Sequence, residues 1–195
     1  MKNIFKNSLV LVALLTTLLS NANSPLKVSN SELKTTLTLN NVKKGNELFV
    51  KDKSGSILYQ ETIKNAGDYT KNFDLTKLPN GEYYFEVNKS FEINTIPFSV
   101  KNSEVTLDKA EETIAFRPFV TSNKNIVKVS NLSLKKKPLE VNIYFDSNES
   151  ELIYEETIEG TQNISRTFSL NKAKKGTYRI VTKTEGRTFV DYVEL

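Results

Sequence analysis

Cysteine, histidine and tryptophan are all missing from these 195 residues, and glycine (7) and proline (5) are sparse. Without cysteine there is no disulfide framework, no thiolate zinc site and no bacterial lipid anchor, which needs a cysteine at its cleavage point. Without histidine as well, hydrolytic triads and zinc centres lack their usual groups. No Asp-x-Asp-x-Asp-Gly calcium loop and no glycine-rich phosphate loop occurs, so no metal and no cofactor is expected. A small exported fold without disulfides must instead bury a sizeable core.

Charge of one sign is also lacking. Lys and Arg number 27 against 23 Asp and Glu. Lys2 and Lys6 lie in the amino-terminal segment discussed next, and beyond them either half of the chain carries an excess of a single cation. A nucleic-acid binder needs a concentrated basic face, so nucleic acid is not an expected partner.

What is present begins with Lys2 and Lys6, then the run Leu9–Leu19, then the small residues Ser20-Asn21-Ala22. That is the order of a secretory signal peptide, and residues 1–22 are read as one. Eleven residues of helix reach about 16 Å, short of a membrane core of about 30 Å. A secreted, periplasmic or cell-surface location follows, with no membrane span after cleavage.

Shifting the sequence on itself by 95 positions reveals an internal duplication. Leu37 and Leu39 fall on Leu132 and Leu134, and Leu48-Phe49-Val50 on Ile143-Tyr144-Phe145. Leu58-Tyr59-Gln60-Glu61-Thr62-Ile63 falls on Ile153-Tyr154-Glu155-Glu156-Thr157-Ile158, and Gly81-Glu82-Tyr83 on Gly176-Thr177-Tyr178. The matches concentrate at apolar, aromatic and glycine positions, which a buried face and tight turns dictate. Within each unit apolar residues alternate with polar ones over short runs, such as Tyr83, Phe85, Val87 and Ile96, Phe98, Val100. Turn-forming stretches such as Lys44-Gly45-Asn46 and Pro79-Asn80-Gly81 separate them. No 3.6-residue stripe competes. The expected fold is all-β: two tandem antiparallel β-sandwiches of immunoglobulin or fibronectin III type, residues 23–110 and 111–195, with Leu37, Tyr59, Phe73 and Tyr83 inside. A closed barrel is the alternative. Ile114–Val120 is assigned to the first strand of the second module and Leu26–Ser29 to the first strand of the first.

The segments Leu48–Tyr59 and Phe73–Val87 resemble the C-terminal sorting domain of type IX secretion cargo. They show its strand, its Asp-x-x-Gly hairpin (Asp52–Gly55), a second strand, and the run Leu78-Pro79-Asn80-Gly81-Glu82-Tyr83. The resemblance implies a β-sandwich from a Gram-negative bacterium of the Bacteroidota type that passes through the periplasm. The second copy departs from the pattern, with Ser150 in place of Gly55 and Ala173-Lys174-Lys175-Gly176 in place of Leu78-Pro79-Asn80-Gly81.

Three features carry candidate chemistry. Glu149, Glu151, Glu155, Glu156 and Glu159 form an acid cluster, and Glu61 and Glu156 share a repeat position, so a carboxylate-only enzyme of glycosidase type is the one catalytic alternative. Consecutive Glu155 and Glu156 point to opposite faces of a strand, which argues for ordinary solvated residues. Lys135-Lys136-Lys137 with Lys172, Lys174 and Lys175 are read as a basic rim, or as lysines protecting a sheet edge. Phe49, Tyr84 and Tyr144 fall out of phase with their core neighbours; rings on a solvent face stack on sugars or anchor partners, or else pack between modules. The reading is a non-enzymatic interaction or adhesion protein with a protein or glycan partner, with secretion targeting as its competitor.

Overall fold

The computed structural model describes residues 26–31, 34–146, 149–170 and 174–195; the expected leader, residues 1–22, lies outside them, as do Lys172 and Ala173. Strands β1 (Leu26–Ser31), β2 (Lys34–Val42), β3 (Glu47–Asp52), β4 (Ile57–Thr62), β5 (Gly67–Phe73), β6 (Gly81–Asn88) and β7 (Glu92–Lys101) build the first sandwich. Two short strands follow, β8 (Glu104–Leu107) and β9 (Thr113–Phe116). The second sandwich contains β10 (Phe119–Asn123), β11 (Ile126–Leu132), β12 (Leu139–Phe145), β13 (Glu151–Ile158), β14 (Asn163–Ser169), β15 (Thr177–Thr184) and β16 (Arg187–Glu194). Among the described residues the helical content is two single 3-10 turns, Leu75–Lys77 and Lys109–Glu111.

In each half a three-stranded sheet faces a larger one. The orders are β1-β2-β5 against β4-β3-β6-β7-β8, and β10-β11-β14 against β13-β12-β15-β16, every pairing antiparallel. The all-β sandwich expectation therefore holds, and the barrel does not, since the sheets stay open. Leu37 and Tyr83 are buried in the first core, while Tyr59 and Phe73 are half-buried and pack against it. A second core gathers Val127, Val129, Leu139, Val141, Ile143, Phe168, Tyr178 and Ile180.

The run before β6 is explained by one hydrogen bond. Tyr83 donates its hydroxyl to the carbonyl of Pro79 at 2.8 Å, and Tyr178 donates to the carbonyl of Lys174 at the same distance. This tyrosine corner ties the chain where it crosses between sheets. A buried bond of that kind contributes about 1 kcal/mol.

The duplication is real in space but not gap-free. From β4 to β7 the 95-position shift holds: Tyr59, opposite Val50, matches Tyr154, opposite Ile143. Earlier strands slip. Leu37, opposite Lys71, corresponds to Val129, opposite Arg166, and Leu39, opposite Tyr69, to Asn131, opposite Ile164. Leu132 and Leu134 are therefore not the counterparts. The error is three residues, an odd number, which exchanges the two faces of a strand; Leu134 is 53% exposed. In the next strand Leu48 and Val50 correspond to Val141 and Ile143, two residues early, because the loop between β12 and β13 is longer than its counterpart. Phe49 thus matches Asn142, and Tyr144 matches Lys51.

The connector differs from expectation too. β9 pairs with β7, Ile93 opposite Ala115 and Asn94 opposite Ile114, so Ile114–Phe116 extends the first module's sheet; the second module's first strand begins at Phe119. A two-residue turn at Asn102-Ser103, both at positive φ (51° and 64°), folds β8 back along β7, and β9 continues along the same edge. Apolar residues alone did not show which sheet the segment would join.

Candidate functional site

Strand alternation places Phe85 and Val87 in the first core and turns Glu86 to the outer face of the same sheet. Across that face the register runs Phe49, Glu86, Thr95, Thr113 in one row and Lys51, Tyr84, Pro97 in the next. Ile93 and Ala115 also lie on this face, and both are buried outside the core cluster. A sheet covered on both sides loses its alternation, as in the continuous run Leu48-Phe49-Val50, buried at all three positions.

Arg187 reaches this face from the second module. It follows the tight turn Glu185-Gly186, where both residues have positive φ (51° and 72°). Its Nη1 donates to Glu86 Oε2 at 2.8 Å and its Nη2 to Thr95 Oγ1 at 3.1 Å, while Lys51 Nζ donates to the other carboxylate oxygen at 2.7 Å. Glu86 is 3% exposed. Burial on its own pushes the carboxyl up, but the hydrogen bonds from Lys51 and Arg187 outweigh it and hold Glu86 below the ordinary glutamate range. A carboxylate sealed between two cations, one from each module, is a joint.

Around the joint opens a cleft of about 880 Å³. Its first wall carries Lys51, Tyr84, Glu86, Thr95, Thr113 and Ala115; its second carries Lys135, Lys137, Glu140, Thr157, Lys183 and Thr184. The lysine loop is fixed by its backbone. Buried Ser133 accepts the amide of Lys136 on its carbonyl (3.1 Å) and the amide of Lys137 on its hydroxyl (2.9 Å). Gly160 packs so tightly there that a Cβ would lie 1.9 Å from the Lys136 carbonyl oxygen. Lys183 pairs with its cross-strand neighbour Glu140 at 2.6 Å. Thr184, 6% exposed, keeps a hydroxyl without a hydrogen-bond partner at the wall.

The three rings read from the sequence separate. Tyr84 lines the cleft, half-buried. Phe49 is 5% exposed, not solvent-facing, with the Lys51 ammonium 4.7 Å from its ring centre. Tyr144 is half-buried beneath the Arg179 guanidinium, 4.5 Å away. Nor do the lysines form one rim: Lys174 sits beside Glu151 at the start of β13, whereas Lys136 packs on Gly160 past its end. Glu86, Arg187 and Thr95 had no signal in the sequence beyond the unbroken apolar run at Leu48–Val50.

The paired acids prove to be staples. Glu61 accepts hydrogen bonds from Tyr59, Tyr69 and Lys71, joining β4 to β5 in the opposite sheet. At the same repeat position Glu156 accepts from Tyr154 and from both Nε and Nη2 of Arg166. Lys71 and Arg166 hold these carboxyls low, Glu61 to about 2. Both carboxylates are thus held by partners on the edge strand of the opposite sheet. Among the described residues no cluster of His, Cys, Asp and Glu could hold a metal, and no helix is long and apolar enough to cross a membrane.

A second, apolar groove of about 410 Å³ lies between Phe91, Phe116 and Phe119 and the β11–β14 pair. Phe91 and Phe119 are exposed there.

No family model matches the chain, and no curated protein does. Among solved structures, the BSP domain of a biofilm-associated protein aligns at 14% identity and a TM-score of 0.30, over 87% of this chain and 29% of that one. The chain thus spans under a third of that neighbour's length. A structure of the receptor tyrosine kinase Torso, which perceives a neurohormone, aligns at 11% identity and a TM-score of 0.27, covering 90% of this chain and 74% of that one. The human OSCAR ligand-binding domain aligns at 8% identity and 0.25, covering 87% and 96%.

Proposed function

We propose that this chain is a non-enzymatic interaction protein, secreted, periplasmic or cell-surface, in which two sandwich modules are locked into one body and the cleft between them takes a protein or glycan partner. The observation that carries this reading is the Lys51–Glu86–Arg187 joint at the cleft. Burying a carboxylate is costly unless it is fully paired, and here the pairing requires both modules. The cost goes into a fixed relative placement of the two walls, which is what a pre-formed binding cleft needs. The module boundary belongs at Arg117-Pro118, between β9 on the first sheet and β10 on the second. Tyr84 contacts the partner; Phe49 and Tyr144 act as supports under their cations. The export part of the reading rests on residues 1–22.

The full chain titrated against fractionated envelope proteins and polysaccharides tests this. Binding that falls in Arg187→Met and in Tyr84→Ala is the expected result; binding untouched by both overturns the cleft as the site. The competing reading, secretion targeting by a sorting-domain-like module, draws on the Asp52–Gly55 hairpin and the two tyrosine corners. It requires that deleting Ile126–Leu195 stop export.

A further inference from the structure

We propose that the inter-module cleft binds a carboxylate-bearing polysaccharide, a polyuronate-type chain. The inference rests on the interaction reading above and names the ligand class for that same site.

Charge comes first. Five cations line the cleft, Lys51, Lys135, Lys137, Lys183 and Arg187, against three carboxylates, Glu86, Glu140 and Glu185. Lys51 and Arg187 share the single carboxylate of Glu86. Glu140 is matched by Lys183, and Glu185 accepts a hydrogen bond from buried Ser133 at 3.2 Å. Lys135 and Lys137 stand exposed on the loop that Ser133 and Gly160 hold in place. The surplus is therefore positive, one charge at the joint, where two cations share Glu86, and one at the rim, where Lys135 and Lys137 stand against Glu185. Such a cleft attracts an anion and selects against a neutral or cationic chain.

The remaining lining narrows the anion. Thr113 and Thr157 bring hydroxyls and Tyr84 an aromatic face with a polar tip, the mixture that ring hydroxyls and ring faces of a sugar satisfy. Apart from Tyr84, the apolar lining is Ala115 and Pro138 together with glycines, so there is no pocket for the large aliphatic or aromatic anchor on which peptide recognition depends. A single-stranded nucleic acid lacks the row of rings on which successive bases stack, since Tyr84 is the one aromatic side chain in the lining. The volume, about 880 Å³, lies near the upper end of ligand sites and opens to solvent, suited to a segment of a longer chain.

The test is calorimetric titration of the full chain with a galacturonate hexamer, with its fully methyl-esterified form, and with a glutamate hexapeptide. The hexamer should bind, weaken as ionic strength rises, and lose affinity about tenfold in the Lys135→Gln/Lys137→Gln double variant, where two exposed contacts of about 0.7 kcal/mol each are removed. Lys77→Gln, on the 3-10 turn Leu75–Lys77 outside the cleft, should change nothing. Equal binding of the methyl ester would overturn the carboxylate assignment, tighter binding of the peptide would overturn the glycan, and no binding of the hexamer would overturn the proposal altogether. If the hexamer fails while an envelope partner still depends on Arg187 and Tyr84, the ligand class falls and the cleft reading survives; if both fail, both fall.

Discussion

In the first module five rings run in contact. Tyr59 meets Phe73 at 5.3 Å between centres, Phe73 meets Phe85 at 5.3 Å, Phe85 meets Phe98 at 5.0 Å, and Phe98 stacks with Tyr83 at 5.4 Å. The second module keeps two separate pairs, Phe145 with Tyr178 and Tyr154 with Phe168. Where the first module buries Leu39 and Val87, the second buries Asn131 and Thr182, 5% and 0% exposed, and neither side chain's polar atoms find a hydrogen-bond partner. Thr184 continues that series to the cleft wall. The frame is common to both: tyrosine corners, glutamate staples and strand order. The filling is not. The second core's polar intrusions run along β11 and β15 to the cleft wall, while the first core's own, Asn94, 0% exposed and without a hydrogen-bond partner, lies opposite Val87 on β7.

The largest effect that sharpens this contrast is Phe85→Ala, which removes the ring at the centre of the chain of contacts. It should cost about 3–5 kcal/mol, more than Ile180→Ala at the matching position, and calorimetry should show the loss in one transition only. Equal losses would mean that the rings are ordinary filling. Next is Arg187→Met, expected to cost about 3 kcal/mol because Glu86 stays buried with one cation instead of two. Its second readout is shape: small-angle scattering should broaden as the modules uncouple, and an unchanged profile would show that the joint does not set their placement.

Exchanging interior residues tests the filling directly. Thr182→Val deletes an unpartnered buried hydroxyl at nearly constant volume and should stabilise by about 1 kcal/mol, while Val87→Thr should destabilise the first module by about 1–3 kcal/mol. Opposite signs at matched positions are the prediction, read by urea unfolding. A loss in both would show that Thr182 has found a partner.

Period-two alternation and turn residues made the strands and the sandwich legible, whereas Gly81-x-Tyr83 stood out only as a repeated match, and the hydrogen bond to Pro79 is what makes it a tyrosine corner. Register was legible only where loops kept their length. Leu132-x-Leu134 imitates Leu37-x-Leu39 perfectly in pattern, yet three residues of slip put Leu134 in water, and only the ladder partners reveal it. The joint was illegible for a different reason. Glu86 and Arg187 are 101 residues apart; taken locally, Glu86 is an ordinary outward residue, and Arg187 is a charged strand-end residue on the face that carries Phe189 and Thr184. Alternation reports that a side chain leaves its own core, not what it meets afterwards. Phe49 shows the same limit: its phase was read correctly as outward, and its burial comes from what covers that face.

The smallest expected difference between the modules concerns acid. Glu61 is lowered to about 2, first by the hydrogen bond from Lys71 and then by that from Tyr59, against an ordinary value of 4.5. A carboxyl depressed in the folded state contributes stability above its unfolded value, so this contribution is complete above pH about 4.5 and disappears as pH falls toward about 2. Glu156 is lowered in the same direction, first by Arg166, but that arginine side chain is half-exposed and water competes for it. Each staple is a partly exposed pair worth under about 1 kcal/mol. Glu61→Gln should therefore flatten the acid-side slope of the first module's stability between those two pH values, and Glu156→Gln should flatten that of the second by less. Rising salt should weaken Glu156's contribution more, since screening acts most on the exposed partner. If the two variants change the slopes alike, the extra hydrogen bond that Tyr69 donates to Glu61 contributes nothing, and the staples are equivalent after all.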